Sequence, residues 1–410
     1  MSNQKIRISL NGREMEVDRG TRIEDLVRGM EGKKGSQIVA TVVNNEIREL
    51  TYPIEQESVI ATVDLSDADG IRIYQRSLKF LLIKAVHDLF PGKELQVRHS
   101  VRRGVFFEIV DYKVTPEDVE RLDKRMRELV EEDHKYVKRV VPIDEARRIF
   151  LDQGREDRYR ALEFREKDYV SLYTFDDIED YFYGYMVPST GYLKLFGLAA
   201  ENNGIVLIVP KKENPTRLPD ETLPKQLFDV FTEYTNWIRI LGVEDVGRLN
   251  EVVKNGRIHE FILISEALHE KKIAHIADMI VNQKKRIILI AGPSSSGKTT
   301  FARRLAIQLR VNGIKPLNIS VDDYFVEKDR TPVDEDGKPD YEALEAVDLE
   351  LFNQDMNALL KGEEISLPTF NFISGKREYN GRRIKLDEGS AVIIEGIHAL
   401  NPRLASGINE

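Results

Sequence analysis

The feature that most constrains the fold of this chain is a glycine-rich segment at residues 292–299, which reads Gly-Pro-Ser-Ser-Ser-Gly-Lys-Thr. This segment matches the pattern G-x-x-x-x-G-K-[ST] in full, and it follows an unbroken apolar run at residues 287–291. Apolar side chains then recur every four residues at Phe301, Leu305 and Leu309, which is helical spacing. The pattern therefore predicts a buried strand, a tight loop and a helix, as at the start of a parallel sheet covered by helices.

The residue types of this loop indicate that it binds the phosphates of a nucleoside triphosphate. Glycines let backbone N–H groups close around phosphate oxygens, and the N-terminus of the following helix adds positive potential. Lys298 can reach the β- and γ-phosphates and is also a predicted catalytic residue, while the Thr299 hydroxyl can ligate Mg²⁺. ATP and Mg²⁺ are thus the expected cofactors. The predicted nucleotide-binding residues are Gly292, Ser294, Ser295, Ser296, Gly297, Lys298, Thr299 and Thr300.

Two acidic residues follow the next apolar runs of this region. Asp322 follows residues 316–321, and Glu395 follows residues 391–394. Because the carboxyl ends of parallel strands meet at one edge of a sheet, we expect both carboxylates to lie beside the phosphates. Asp322 could orient an acceptor hydroxyl and take its proton, or it could hold Mg²⁺ through water. Glu395 could ligate the metal or its water, so Thr299 and Glu395 are the predicted metal-binding residues.

The N-terminal segment shows the alternation of apolar and polar residues that is typical of strands. The Asn-Gly pair at residues 11–12 predicts a tight hairpin turn between two such strands. Thr21 and Glu24 predict a capping box at the start of a helix. Together with two further strand patterns, these signals predict a small β-grasp domain over residues 1–66.

The segments between this domain and the glycine-rich loop predict an α+β domain followed by helices. In residues 67–215, Thr115 precedes a proline and two acids, which marks a strong helix start. Prolines from 210 to 224 mark a boundary, and helical patterns dominate residues 216–283, which we predict to be a helical linker. Residues 284–410 then form the domain that carries the loop. The predicted fold class is multidomain, with α+β parts and an α/β parallel sheet.

Composition narrows the classes of function. The formal net charge of −9 argues against a protein that mainly coats nucleic acid, although a local basic patch stays open. The absence of cysteine excludes disulfides and thiolate metal sites and fits a cytoplasmic protein. No apolar stretch is long enough to cross a bilayer, and the first residues carry no apolar signal segment. We therefore expect no association with a membrane.

Residues 287–404 resemble the uridine kinase and phosphoribulokinase family. The resemblance rests on GPSSSGKTT (292–300), SVDDYF (320–325), PTFNFISGKR (368–377) and IIEGIHAL (393–400). It implies a P-loop kinase that uses ATP and Mg²⁺ to phosphorylate a nucleoside hydroxyl, with Asp322 as the base. The implied substrate-binding residues are Asp322, Glu342, Phe370, Phe372 and Arg377.

The chain departs from the uridine kinase pattern in the acceptor pocket. Gly375 stands where the family has a base-contacting histidine, and Glu342 stands where it has a ribose-contacting aspartate. The family's Tyr-Asp-Phe string is Phe-Asn-Phe at residues 370–372. Each lost hydrogen bond removes about 1–3 kcal/mol of discrimination. The expected acceptor is therefore a nucleoside or a related small molecule, without a commitment to uridine.

The N-terminal two-thirds of the chain resembles a different family, the threonyl-tRNA synthetases. Residues 5–65 resemble their TGS domain, and residues 71–209 resemble their second additional domain, which edits mischarged tRNA. The shared strings are LLIKAV (81–86), TPEDVERLDKRM (115–126) and VPSTGYLKLF (187–196). The four positions of the family's editing residues hold Arg76, Phe80, Phe182 and Met186. The resemblance implies contact with tRNA or the ribosome, and the replaced residues predict that editing is lost.

The last strand pattern of the chain ends at Glu395, before the kinase family pattern is complete. The family would next supply further strands, an adenine-contacting loop and an arginine-bearing lid. We therefore expect a truncated domain with weak or no kinase turnover, because lid arginines and exclusion of water speed phosphoryl transfer. Two alternatives stay open: a nucleotide-regulated ATPase that binds RNA or the ribosome, and an N-terminal half that serves only stability or oligomerisation.

Overall fold

The computed structural model describes residues 5–220 and 225–408 and divides the chain into two compact units. The first unit extends to Arg257 and the second begins at Ile258. The division falls inside the segment predicted as a helical linker, so the second unit begins well before Lys284. The predicted combination of α+β parts with an α/β parallel sheet is confirmed.

The first unit opens with a five-stranded mixed sheet and a short helix. Its elements are β1 (Lys5–Leu10), β2 (Arg13–Asp18), α1 (Ile23–Val27), β3 (Ile38–Val43), β4 (Glu46–Glu49) and β5 (Ser58–Asp64). The strand order is β2-β1-β5-β3-β4, in which β1 and β5 run parallel. The predicted turn at residues 11–12 joins β1 to β2, and both of its residues adopt positive φ angles, of 49° and 82°.

The two predicted helix starts have different outcomes. At Thr115 the capping box is present: the Asp118 N–H donates to the Thr115 hydroxyl at 3.2 Å, and the Asp118 carboxylate accepts from the Thr115 N–H at 3.1 Å. The predicted capping box of Thr21 and Glu24 is absent, so this prediction is wrong. Arg22 is the N-cap of α1, and the Thr21 hydroxyl instead donates to a backbone carbonyl three residues back, at 2.6 Å. The Thr21 hydroxyl is engaged in this hydrogen bond within the turn after β2, so it does not cap the helix.

The rest of the first unit packs helices against two antiparallel sheets. The helices are α2 (Ala68–Leu89), α3 (Pro116–Glu132), α4 (Ile143–Asp152), α5 (Glu156–Glu163), α6 (Lys225–Leu241) and α7 (Val246–Lys254). The strands are β6 (Leu95–Val101), β7 (Gly104–Ile109), β8 (Val137–Pro142), β9 (Tyr169–Phe175), β10 (Ile178–Tyr181), β11 (Gly197–Glu201) and β12 (Gly204–Ile208). The sheets have the orders β11-β12-β7-β6 and β10-β9-β8.

The second unit is built on a parallel sheet. Its helices are α8 (Ile258–Asn282), α9 (Lys298–Val311), α10 (Leu349–Leu360) and α11 (Pro402–Ala405). Its strands are β13 (Ile287–Ile290), β14 (Pro316–Ser320), β15 (Glu364–Ser366), β16 (Thr369–Asn371), β17 (Lys376–Glu378), β18 (Arg383–Lys385) and β19 (Ala391–Glu395). Strands β13, β19 and β14 form the parallel sheet in that order, and β15–β18 and β16–β17 form antiparallel pairs.

Both faces of the parallel sheet are covered, which explains the apolar runs in the sequence. On one face, Ile273 of α8 and Leu305 of α9 belong to the same cluster as Ile393 of β19. On the other face, Phe352 of α10 packs in a cluster with Ile394. Strand β19 comes last in the sequence but lies in the middle of this sheet. Because the three strands run parallel, the segments that follow them meet at one edge of the sheet.

Candidate active site

The glycine-rich loop connects β13 to α9 and leaves its backbone accessible to solvent. Residues 293–297 are exposed, and two of them adopt left-handed backbone, Ser295 with a φ of 60° and Gly297 with a φ of 89°. Gly297 is the N-cap of α9, where this φ would strain any residue with a side chain. The exposed loop and the N-terminus of helix α9 together supply N–H groups and positive potential, which suit phosphate oxygens.

Lys298 is the first residue of α9, and its side chain folds back over the loop. Its Nζ donates a hydrogen bond to the carbonyl oxygen of Pro293 at 3.0 Å. The ammonium therefore lies above the segment whose backbone N–H groups would hold phosphate. The contact of Lys298 with the β- and γ-phosphates stays a prediction.

Thr299 and Glu395 lie in direct contact at the carboxyl edge of the sheet. The Thr299 hydroxyl donates to Glu395 Oε1 at 2.8 Å. The register explains the meeting, because Glu395 pairs with Ile290 of β13 and with Ser320 of β14 at the ends of those strands. The structure thus brings these two residues together, and their role as magnesium ligands stays a prediction.

The Thr299–Glu395 pair fits Mg²⁺ rather than a transition metal. Both side chains offer oxygen, and Mg²⁺ in nucleotide sites is typically held by one or two protein oxygens together with phosphates and water. In residues 5–220 and 225–408, no group of three or more histidine, cysteine or acidic side chains is arranged to hold a metal by itself. A magnesium ion at this pair would therefore take most of its ligands from the nucleotide and from water.

Asp322 lies in a 3₁₀ turn, Val321–Tyr324, directly after β14. Burial raises the pKa of the Asp322 carboxyl, and the nearby Glu395 carboxylate raises it further, while Lys298 and His398 lower it. Asp322 is therefore close to the loop lysine and to the candidate metal ligand. A half-buried carboxylate beside the phosphate site is suited to accept a proton from a hydroxyl.

Four aromatic rings form a cluster next to this turn. Phe325, Tyr341, Phe370 and Phe372 lie with their ring centroids 5.0–5.9 Å apart. Phe370 is buried, whereas 59% of Phe372 is exposed, so the cluster presents an aromatic face to solvent. The Asp323 carboxylate accepts a hydrogen bond from the backbone of Phe370, which ties the cluster to the acidic turn.

Sequence reasoning identified only half of this cluster. Phe325 stood at the end of the quoted SVDDYF string and Tyr341 directly precedes Glu342, but neither was assigned a role. Aromatic residues at irregular spacing form no periodic pattern, so the sequence does not indicate that their side chains meet in the folded protein. Their meeting depends on the long connection between β14 and α10.

The other two predicted substrate residues lie in different surroundings. Glu342 is exposed, and its backbone N–H donates to Asp340 Oδ1 at 2.9 Å. Arg377 is largely buried, and its Nη1 and Nη2 both lie 2.9 Å from Asp348 Oδ2. Asp348 is also the N-cap of α10. In this structure the Arg377 guanidinium therefore anchors β17 to a helix start, and its contact with substrate stays a prediction.

The backbone at Gly375 explains why a glycine stands where the kinase family pattern has a histidine. Its φ is +65°, and a Cβ at this position would lie 2.7 Å from Lys328 Cβ. A side chain here would meet both backbone strain and a steric clash. The backbone of this loop therefore does not accommodate the histidine found in uridine kinases.

The positions of the editing residues in the first unit are filled by packed side chains. Phe80 is fully buried and stacks on Tyr136 at 5.6 Å between ring centroids, and Phe182 lies 5.1 Å from it. Met186 is buried in the same core, and the Arg76 guanidinium donates to the carbonyl oxygen of a nearby loop residue. These residues form an interior in which aromatic contacts replace polar catalytic groups, so the loss of editing stays our prediction.

The parallel sheet, the glycine-rich loop and the Thr299–Glu395 pair define a P-loop nucleotide-binding domain. Residues 287–405 match the model of the Phosphoribulokinase / Uridine kinase family. A solved structure described as a possible uridine kinase from Bacillus stearothermophilus has a TM-score of 0.29 and 22% identity, over 34% of this chain and 77% of that one.

The N-terminal region is similar to threonine–tRNA ligases. The ligase of Acidovorax sp. (strain JS42) is 35% identical over 165 residues, which cover 39% of this chain and 25% of the ligase. The ligase of Janthinobacterium sp. (strain Marseille) is 31% identical over 191 residues, 46% of this chain and 30% of the ligase. The chain thus spans between a quarter and a third of the length of these relatives.

The chain therefore joins a region similar to threonine–tRNA ligases to a C-terminal region, residues 287–405, that matches the phosphoribulokinase/uridine kinase family model. The family match supports a kinase-like function. Across the described ranges 5–220 and 225–408, none of the helices has the length and apolar character needed to span a bilayer.

Proposed function

We propose that the C-terminal domain transfers the γ-phosphoryl group of ATP to a hydroxyl of a nucleoside or related small molecule. The observation that carries this proposal is the convergence of Lys298, Thr299, Glu395 and Asp322 at one sheet edge. A P-loop alone serves many reactions. A half-buried carboxylate beside an aromatic surface adds the two parts that a phosphoryl acceptor needs, a base and a binding face.

Each residue has a definite task in this reaction. The loop backbone and Lys298 would bind the phosphates, and Thr299 and Glu395 would hold Mg²⁺, which neutralises charge on the β- and γ-phosphates when bound. Asp322 would accept the proton as the acceptor oxygen attacks the γ-phosphorus and the bond to the leaving ADP oxygen breaks. The raised pKa of Asp322 makes this carboxylate a better proton acceptor than an exposed aspartate.

The acceptor would lie against the aromatic cluster, with one ring face on Phe372. Flat rings bind flat groups such as a base well, and they discriminate little between bases. This agrees with Gly375, where no side chain is available to read a base edge. A cytoplasmic location, where ATP and Mg²⁺ are available, is part of the proposal.

A second candidate function is a nucleotide-regulated ATPase that contacts tRNA or the ribosome through its N-terminal region. The homology of that region to threonine–tRNA ligases favours it. In this case Asp322 would act on water rather than on an acceptor hydroxyl. Self-association through the N-terminal region is compatible with either function.

The two candidates differ in what stimulates ADP release. The protein is incubated with ATP and Mg²⁺ alone, with a panel of nucleosides and sugars, and with tRNA or ribosomes. Enzyme is kept in excess over ATP, so that a slow single turnover still gives measurable ADP. The kinase proposal predicts acceptor-dependent ADP release that is lost in Asp322→Asn. ADP release that responds only to tRNA or ribosomes would contradict it and favour the second candidate.

A further inference from the structure

His398 lies in the short connection between β19 and α11, three residues after Glu395. Its carbonyl oxygen accepts a hydrogen bond from the Asn401 N–H at 2.8 Å, which holds the connection in place. Its Nε2 is buried from solvent and has no hydrogen-bond partner among the protein atoms. A buried ring nitrogen without a partner costs about 1–3 kcal/mol, so it calls for an explanation, and one explanation is a bound group that supplies the missing hydrogen bond.

The surroundings of His398 show which side of the site it faces. The connection that carries His398 runs beside the acidic turn, because a Cβ at Gly396 would lie 2.6 Å from Val321 Cβ and Arg403 pairs with Glu345. In agreement with this position, the imidazole lowers the pKa of the Asp322 and Glu345 carboxyls. Asp322 and Glu345 both belong to the long segment between β14 and α10. The glycine-rich loop follows β13, on the opposite side of β19. His398 therefore lies near the segment between β14 and α10, to which the proposed acceptor site belongs.

Two other charged groups in this region are already partnered. Glu345 pairs with Arg403 Nη1 at 2.8 Å, and Glu395 accepts from Thr299 at 2.8 Å. His398 Nε2 is thus a polar atom near this edge that no protein group satisfies. Its position beside Asp322 places it next to the hydroxyl that the proposed reaction would phosphorylate.

The geometry points to His398 as an acceptor-binding residue, whose Nε2 hydrogen-bonds a second oxygen of the acceptor beside the hydroxyl that Asp322 deprotonates. This inference rests on the proposed kinase function and narrows its substrate class. The acceptor is a polyol, such as a pentose or a nucleoside, with a hydroxyl or ring oxygen close to the phosphorylated one. An isolated primary alcohol would leave Nε2 buried and unpaired, and it would be a poor substrate.

The test is a double-mutant-type cycle, in which removal of the His398 side chain is combined with removal of single hydroxyl groups from the acceptor. Uridine, cytidine, adenosine and D-ribose are assayed with the wild-type protein, followed by the 2′- and 3′-deoxy forms of the best nucleoside acceptor. We expect His398→Ala to lower kcat/KM for that acceptor about fivefold, the loss expected for one hydrogen bond of average strength. One deoxy form should cost the wild type a similar factor and cost His398→Ala almost nothing, because the same hydrogen bond is already gone.

Controls separate a binding role from a structural one. His275→Ala, at an exposed position of α8, should leave kcat/KM unchanged. His398→Gln, which keeps a hydrogen-bonding side chain, should lose less than His398→Ala. The affinity of each variant for a fluorescent ATP analogue should stay within about twofold of wild type.

Two results would overturn the inference. If His398→Ala loses ATP affinity by the same factor as kcat/KM, or if every acceptor and deoxy form loses equally, His398 does not read the acceptor. If the wild-type protein phosphorylates none of the acceptors, the proposed kinase function is wrong, and the inference about His398, which rests on it, is wrong too. The wild-type reaction alone reveals that outcome, before any variant is compared.

Discussion

The ionised Asp322 carboxylate is predicted to lower the free energy of unfolding of the second unit at neutral pH. Its carboxylate is half-buried beside a second carboxylate, and its pKa is raised by burial first and by Glu395 second. A carboxyl whose pKa is higher in the folded than in the unfolded state binds more protons when folded. Stability then falls as the pH rises from the unfolded pKa through the folded pKa, and the full cost is present at neutral pH.

The substitution Asp322→Asn should therefore stabilise the protein at neutral pH while it removes the reaction. Removing one unfavourable charge from an active site typically adds about 0.5–2 kcal/mol. For a unit of about 150 residues, 1 kcal/mol corresponds to a rise in Tm of about 2–4 °C. Phosphoryl transfer should fall by about 10²–10⁴, the usual contribution of a general base.

Calorimetry between pH 3 and pH 8 in EDTA, without nucleotide, measures the stability part of this prediction. The gain in Tm should be largest at neutral pH and should shrink toward acid, where the wild-type carboxyl is protonated. Asp336→Asn, at an exposed turn of the same unit, is the matched control and should change neither Tm nor transfer. A loss of stability in Asp322→Asn at neutral pH, or an equal gain at both ends of the range, would refute the reasoning.

Four further predictions concern single sites. Lys298→Ala should weaken binding of a fluorescent ATP analogue at least tenfold without unfolding the domain, which circular dichroism checks. Phe372→Ala should raise the acceptor KM several-fold with little change in Tm, because the ring is largely exposed. Gly375→His should lower the free energy of unfolding in urea by about 1–3 kcal/mol through strain and contact with Lys328, without restoring preference for uridine. Phe80→Ala should cost about 3–5 kcal/mol in the same measurement, because the ring fills the interior of the first unit.

Local sequence signals predicted the framework of the candidate site. The glycine-rich loop, the three apolar strands and the two carboxylates after them are fixed by short patterns whose geometry is nearly independent of the rest of the chain. Thr299 and Glu395 are 96 residues apart, yet they meet because both strands end at one sheet edge. The capping box at Thr115 formed for the same reason, since its contacts lie within four residues.

The features that escaped prediction depend on contacts between distant segments. Arg377 was predicted to bind substrate, but its ion pair with Asp348 depends on how β17 packs against the start of α10. Tyr341 joins the aromatic cluster through a long irregular connection. His398 lies inside the string IIEGIHAL, but a single histidine gives no sign that its Nε2 will be buried without a partner. Sequence patterns specify elements and their ends, and the packing of the loops decides which side chains share the site.

The central claim is that the domain passes the γ-phosphoryl group to an acceptor hydroxyl rather than to water. The most direct test is mass spectrometry of a single-turnover reaction with ATP, Mg²⁺, enzyme in excess, and the nucleoside and sugar panel. Our account predicts a phosphorylated acceptor that forms in step with ADP and is absent with Asp322→Asn. ADP accompanied only by inorganic phosphate, with every acceptor unmodified, would contradict it.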